Sequence, residues 1–449
     1  MNKYIFFLLI SFPLYAPLAN ALRVAEISLE QCQKDAVSNS AQIKQKEKEA
    51  SAALAQYKSA RASLYPSLSI TGKGGWVSKI PELELGRIKT ELGDNWSYSA
   101  GPELKYVLFD SGARNDVLKS EYEIYQAKEQ ELNFAKKNII LQARLSYFAV
   151  QQDLERIFFI DGQLKVAQKQ LDDALAAFKT GTKNRLDVNM AVKQKLRAQI
   201  NISNARTTLS IHLRELFAYT GIDYGIDAGY PTDWRIEISR NDKETTSIIK
   251  TDALEDSVKK FKRFKDFLFD ENSPSLASLD NIMHYYQFLA GSYQANLYPS
   301  AALSGGAYWE YPNTLIREHV FLGRAGVAFK IPLFEGSKNK NQAKAIRLQA
   351  EAAGFQKIDT AENLKRLFYS SKSVLRALSL EETMIKDMIE NTKETAALTY
   401  EAYNAGAVTF LEVDNANLNL LESNIALADI YVRQLNRLAL IDNLGRENL

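Results

Sequence analysis

Few residues in this chain could carry chemistry, and their spacing works against it. The three histidines, His212, His284 and His319, stand far apart, and none has a second ligand at metal-binding spacing. His284, inside Met283-His284-Tyr285-Tyr286, reads as a packed or surface helix residue. Ser304-Gly305-Gly306 reads as a small-residue strand or turn, because no Gly-Lys-Ser/Thr helix start follows to cradle a phosphate. Cys32 is the sole cysteine, so no intrachain disulfide is possible. The basic run from Lys259 to Lys265 could meet an anionic surface. In a chain whose 56 Lys and Arg nearly balance 54 Asp and Glu, it reads as one solvated helix face. No catalytic, cofactor-binding or metal-binding residue is expected, and neither is a nucleic-acid partner; the chain reads as a non-enzyme.

What recurs is an arrangement. Asn39-Ser40-Ala41-Gln42-Ile43 returns as Asn272-Ser273-Pro274-Ser275-Leu276, and Leu64-Tyr65-Pro66-Ser67 returns as Leu297-Tyr298-Pro299-Ser300, both at an offset of 233. Leu108-Phe109-Asp110 matches Leu333-Phe334-Glu335 at an offset of 225. Gly181 with Leu186-Asp187-Val188 matches Gly406 with Leu411-Glu412-Val413 at the same offset of 225. The chain is therefore one unit written twice. The eight-residue difference falls between Pro66 and Phe109, which marks a variable loop. The equal 72-residue spacing from Phe109 to Gly181 and from Phe334 to Gly406 marks an element that tolerates no insertion.

That element reads as a very long helix. From Ala113 to about Lys179, and from Lys338 to about Asn404, there is no proline, and only Gly162 and Gly354 interrupt good helix formers. Some 65 residues at about 1.5 Å each reach roughly 100 Å. Gly181 and Gly406 fit the turns that end the rods, because glycine best tolerates a left-handed terminal residue. A helix then returns. In the second copy it carries a heptad seam of Leu418, Leu421, Ile425, Ala428, Val432, Leu435 and Ala439. The rod before it has a shorter version in Leu364, Leu367, Ser371, Val374 and Leu378. In the first copy Lys193, Ser203 and Thr207 occupy the corresponding places, so the seam there is expected to be poorer.

Ahead of each rod the period changes to two. Pro66 and Pro299 stop the preceding helix. From Trp96, the residues Trp96, Tyr98, Ala100, Leu104, Tyr106 and Leu108 share one face, against Ser97, Ser99, Gly101, Glu103 and Lys105. Val327, Phe329, Ile331 and Leu333 likewise oppose Arg324, Gly326, Ala328 and Lys330. Such strands suit a wall between lipid and water. Trp76, Trp96, Tyr308 and Trp309, near the hairpin tips, suit an interfacial girdle. Two hairpins supply four strands, which cannot close. In lipid the unpaired edges would cost several kcal/mol per group, so neighbouring chains must complete the cylinder. The smallest barrel needs about eight strands; two chains meet that and three give twelve, so the sheet argument leaves the number open.

The first residues address the export route. Lys3, the apolar Ile5 to Phe12 and Ala19-Asn20-Ala21 read as a secretory signal cleaved after Ala21. Cys32 lies too far beyond that point for lipid attachment to be expected. The organisation expected is a signal peptide at 1–21, a first repeat at 22–221 with its hairpin at about 67–108, a connecting insertion at 222–280, and a second repeat at 281–449 with its hairpin at about 300–333.

These features, in this order and duplicated, resemble the TolC family of outer-membrane efflux proteins over nearly the whole mature chain. The resemblance implies a mostly α fold with membrane β structure: a very long coiled-coil helical barrel, and four strands per chain contributing to a 12-stranded trimeric β-barrel. It implies an outer-membrane homotrimer in outer-membrane lipid, with its tunnel in the periplasm. The tunnel is a passive exit duct for a periplasmic adaptor (membrane-fusion) protein and an inner-membrane transporter of the RND, ABC or MFS kind, in multidrug efflux or type I secretion. It places a gate beyond the turn glycines: Asp187 paired with Tyr403, and Glu412 in an acidic selectivity ring. Val408 stands where the best-known member has an arginine, and Asn415 where it has a second ring aspartate, with Asp414 beside it as substitute. Three copies of Glu412 at a constriction would favour cations and bind multivalent ones; an acid early in a helix also serves simply to complement the dipole. The rival expectation is a periplasmic coiled-coil adaptor or scaffold, which would need a single helical hairpin and separate β domains.

Overall fold

A computed structural model describes residues 25–86, 88–222 and 249–447. The expected signal peptide, and Gly225 to Thr246 of the expected insertion, lie outside the described residues. In chain order the elements are β1 (Ala25–Glu26), α1 (Leu29–Asn39), α2 (Ala41–Ala62), β2 (Ser67–Trp76), β3 (Glu82–Leu85), β4 (Ile88–Glu91), β5 (Trp96–Phe109), α3 (Ala113–Lys179) and α4 (Arg185–Thr220). There follow β6 (Ile249–Lys250), α5 (Leu254–Phe261), a 3-10 turn (Lys262–Asp266), β7 (Leu268–Phe269), α6 (Pro274–Ala295), β8 (Ser300–Tyr311), β9 (Val320–Lys330), α7 (Lys338–Asn404), α8 (Phe410–Leu444) and β10 (Gly445–Arg446). Both rods, α3 and α7, are unbroken helices of 67 residues, because each holds one glycine and no proline. Among the described residues no helix is long and apolar enough to cross a membrane.

The contacts divide the chain into two compact units. One takes the described residues of Met1–Ser38, Gln142–Arg263 and Val374–Ala439. It is helix packed on helix, with Tyr147, Phe148, Leu209, Leu213, Leu216, Leu378 and Leu435 almost fully buried. The short α5 is tied in by Gln151, whose amide donates to the Asp252 carbonyl at 2.6 Å and to Ser257 Oγ at 3.0 Å, and by an edge contact between Phe148 and Phe261. The basic run behaves as a solvated face: Phe261 and Phe264 are buried, while Lys259, Lys260, Lys262, Arg263 and Lys265 are exposed.

The seams need correction in two places. On α8, Leu421, Ala428, Val432, Leu435 and Ala439 are buried, and Leu418 and Ile425 are half-buried. On α4, Lys193, Ser203 and Thr207 are exposed, yet a seam exists through Ala191, Gln194, Ala198, Ile202, Ala205, Leu209, Leu213, Leu216 and Thr220. Its steps of three, four and four make an eleven-residue repeat, with alanines at 191, 198 and 205 in its first half and leucines at 209, 213 and 216 in its second. On α7 the residue driven inward is Phe368, edge-on to Phe269 at 5.8 Å, whereas Leu367 is 39 % exposed.

The second unit, from Asn39–Leu141, Phe264–Ser373 and the described residues of Leu440–Leu449, holds the sheet. Its order is β2-β5-β8-β9, all antiparallel, so both hairpins share one sheet and β2 and β9 are left as edges. The register sorts the side chains. Leu68, Ile70, Trp76, Trp96, Tyr98, Leu104, Trp309, Tyr311, Phe321, Val327 and Phe329 share one face, while Thr71, Lys73, Ser99, Glu103, Lys105, Ser304, Glu310, Arg324 and Lys330 share the other. The apolar face is open: Ile70 is 85 % and Phe329 78 % exposed. Three details differ from the sequence reading. Ile331 and Leu333 lie beyond the end of β9 and belong to no strand face. The variable loop expected between Pro66 and Phe109 contains, from Val77 to Asn95, the β3–β4 hairpin around Gly86 at φ +64°. Tyr308 falls on the polar face with Glu310, one residue out of phase with Trp309, so parity removes it from the aromatic girdle.

Candidate functional site at the helix turns

Each rod ends on a glycine whose backbone only glycine adopts readily. Gly181 has φ +77° and Gly406 φ +83°, and an added Cβ at either would meet nothing within 4 Å, so backbone sign and not space selects glycine. Bonds from Thr182 N–H to the Ala177 carbonyl (3.0 Å) and from Ala407 N–H to the Ala402 carbonyl (2.9 Å) close both ends as Schellman-type turns.

The helices that restart are capped reciprocally. Asp187 N–H donates to Asn184 Oδ1 at 3.0 Å, and Asn184 N–H returns a bond to Asp187 Oδ2 at 3.2 Å. In the second turn Thr409 N–H and Oγ1 donate to Glu412 Oε2 at 2.6 and 2.9 Å. The Thr409 N–H, then its hydroxyl, hold the Glu412 carboxyl below the usual carboxylate range. Asp187 and Glu412 thus spend their carboxylates on their own helix starts.

Beside the turns, Leu171, Ala174, Ala191, Tyr403, Phe410 and Val413 form one buried cluster, with Val188, Met190, Tyr400 and Val408 packed against it. Tyr403 meets Phe410 edge-on at 5.4 Å. Lys183 crosses from the first turn to the second. Its Nζ donates to the Tyr403 carbonyl at 2.9 Å and lies 3.8 Å from the ring centroid. Tyr400 Oη donates to Asp173 Oδ2 at 2.5 Å. The expected Asp187–Tyr403 hydrogen bond is not made: the Tyr403 hydroxyl is buried without a partner, because Asp187 is committed to its cap. Burial, and secondarily the Asp187 charge, push the Tyr403 hydroxyl up to about 12. Tyr400 also rises to about 12, through burial and then its bond to Asp173.

Asp414 and Asn415 part company. Asn415 is exposed, whereas Asp414 is half-buried with Oδ1 unpartnered. Burial raises its pKa, and Arg197 and Lys193 only partly oppose the shift. Lys183, Phe410 and the Asp173–Tyr400 pair were not singled out from the sequence. Tyr400 and Tyr403, one helical turn apart on one face, were the available signal.

A sequence-family comparison matches residues 33–222 to the outer membrane efflux protein family. The chain resembles that family over those residues. It is 22 % identical over 408 residues to the cation efflux system protein CusC of Escherichia coli K12, covering 88 % of this chain and 81 % of CusC. Two solved structures share the fold. The outer membrane protein VceC of Vibrio cholerae matches at TM-score 0.74 and 17 % identity, covering 93 % of this chain and 96 % of VceC. The open-state MtrE outer membrane channel of Neisseria gonorrhoeae matches at TM-score 0.70 and 16 % identity, covering 93 % of this chain and 88 % of MtrE. The duplicated helix, hairpin, rod and return helix thus share the fold of these outer-membrane channels, which the single helical hairpin and separate β domains of the adaptor reading do not fit.

The Asp414 shift has a defined sign. A carboxyl whose folded pKa lies above its unfolded value binds more protons in the folded state, so stability falls as pH rises from the ordinary carboxylate range through the raised value. In Asp414→Asn, melting followed between pH 4 and pH 7.5 should lose that fall and give a higher Tm at neutral pH. A wild-type curve that rises with pH across the same window, with no gain in the variant, would contradict the assignment.

Proposed function

We propose that the chain is one subunit of a passive outer-membrane exit duct, serving an inner-membrane transporter through a periplasmic adaptor, and that it catalyses nothing. One observation carries the reading. A single four-stranded sheet has one face without Asp, Glu, Lys or Arg, a charged opposite face and two unpaired edges. Such a sheet suits lipid on one side and water on the other, and needs sister copies at β2 and β9 to satisfy its backbone. Three copies, twelve strands in all, are the proposed assembly.

The turns are the proposed gate. Tyr403, Phe410 and Val413 supply its packed base, and Lys183 ties one turn to the other. Glu412, exposed apart from its cap, is the acid placed to face the opening, with Asp414 behind it; Asn415 adds polarity without charge. CusC is named for cation efflux; for this chain the cargo follows from whichever transporter it joins. Purified in detergent, the protein should run as a heat-resistant oligomer of three copies and conduct ions in a planar bilayer. Glu412→Ala with Asp414→Ala should weaken the block by multivalent cations. A water-soluble monomer obtained without detergent would end the duct reading, whereas unchanged cation block in the double variant would remove only the acids.

A further inference from the structure

The polar face of the sheet carries charge that a passive duct does not require. Register places Lys73 of β2, Glu103 and Lys105 of β5, Glu310 of β8, and Arg324 and Lys330 of β9 on that face. Both acids are answered locally. Glu310 accepts two bonds from the Arg324 guanidinium, at 2.7 and 2.6 Å, and Glu103 Oε1 lies 3.2 Å from Lys105 Nζ. Tyr308 holds the first pair in place: Arg324 stands 5.9 Å from its ring centroid, and its hydroxyl lies over Gly306, where a Cβ would meet it at 2.5 Å. Among the described residues Lys73 and Lys330 have no acidic partner. Lys73 lines a polar hollow in this face together with Thr71, Ser99, Ser304 and Arg324, and the two paired acids, Glu103 and Glu310, line it as well.

We propose that this face is an anion-attracting wall of the duct, with Lys73 and Lys330 as its uncompensated charges and multivalent anions or acidic cargo as the species it retains. The inference rests on the duct reading, which turns this face toward the lumen. Repeated in each copy around a water-filled cylinder with low-dielectric walls, two unanswered lysines per chain concentrate counter-ions. The hydroxyls of Thr71, Ser99 and Ser304 add hydrogen-bond donors beside Lys73. The sign is opposite to that of Glu412 at the turns, so anion retention here and cation block there are separable properties.

The test uses the full-length oligomer in a planar bilayer at low salt, about 0.1 M, where the screening length is about 10 Å. Hexacyanoferrate(II) or hexaamminecobalt(III) is added on the side of the hairpin loops. Hexacyanoferrate should block the wild type from that side, and Lys73→Gln with Lys330→Gln should weaken the block by about tenfold. Lys73→Arg with Lys330→Arg, which keeps the charge, should retain it. Equal block in the wild type and the Gln variant, or tighter block by hexaamminecobalt than by hexacyanoferrate, overturns the proposal while leaving the duct intact. A chain that forms no conductance overturns the duct reading and this inference with it.

Discussion

Gly101→Val should abolish the folded sheet and leave the protein without a heat-resistant oligomer, whereas Gly74→Ala should be silent. Gly101 lies on β5 against the β8 backbone. A Cβ built there would lie 2.0 Å from the Ala307 carbonyl oxygen and 2.8 Å from Tyr308 Cα. Both are backbone atoms, so no side-chain rotation relieves the contact; the strands must separate. Their separation would undo the pairing of Tyr98 to Ala100 with Trp309 to Tyr311 and of Glu103 to Phe109 with Ala301 to Gly306. Overpacking a core commonly costs about 1–3 kcal/mol, and a backbone clash that parts two strands in lipid should exceed that. Gly74 has nothing within 4 Å, which makes it the matched control for lost glycine flexibility. The measurement is the ratio of folded to unfolded bands in unheated gels of outer-membrane fractions. Equal ratios for Gly101→Val and wild type would show that β5 and β8 are not neighbours.

The same glycine explains why the joining of the hairpins was legible only in part. Period-two patterning made the second strand of each hairpin readable, since Trp96, Tyr98, Ala100, Leu104, Tyr106 and Leu108 keep one parity. Nothing local states that β5 pairs with β8. The cost of open edges called for closure by sister chains and did not state that pairing; its trace in the sequence is Gly101, where a Cβ would strike the β8 backbone. Tyr308 was misplaced because neighbouring aromatics look alike when counted as a cluster, although adjacent strand residues point to opposite faces. Parity was the stronger signal.

The rods were legible because their signal is an absence over 67 residues: no proline, and one glycine each. The α4 seam was hidden because alanines carry its first half, and Ala191, Ala198 and Ala205 stand out in burial though not in hydropathy. At the turns the residues were found and their principal bonds were not. Asn184-x-x-Asp187 and Thr409-x-x-Glu412 both match the capping-box spacing. That signature was open to reading and competes with any gate that needs the same carboxylates. An acid already bonded to its own helix start can still face a channel as charge, but it is poorly placed to latch a tyrosine across the turn.

A gate held by packing and a gate held by hydrogen bonds therefore respond differently to two substitutions at one contact. Tyr403→Phe removes a hydroxyl that is buried without a partner, which should be neutral or mildly stabilising, since an unpaired buried polar group costs about 1–3 kcal/mol. Phe410→Ala empties the other half of the pair. Phe410 is 1 % exposed, meets Tyr403 edge-on and belongs to the cluster of Leu171, Ala174, Ala191 and Val413. Truncating a buried phenylalanine typically costs about 3–5 kcal/mol. In an otherwise stable oligomer that loss should appear locally, as faster amide exchange around Gly181 and Gly406 and as higher single-channel conductance. Lys183→Met should fall between, losing the bond to the Tyr403 carbonyl while keeping some cover over the ring. The packing account requires Phe410→Ala to open the duct and Tyr403→Phe to leave it closed. If Tyr403→Phe raised conductance as much as Phe410→Ala, the hydroxyl would have to be making a bond in the assembled duct, and the gate would be a polar latch after all.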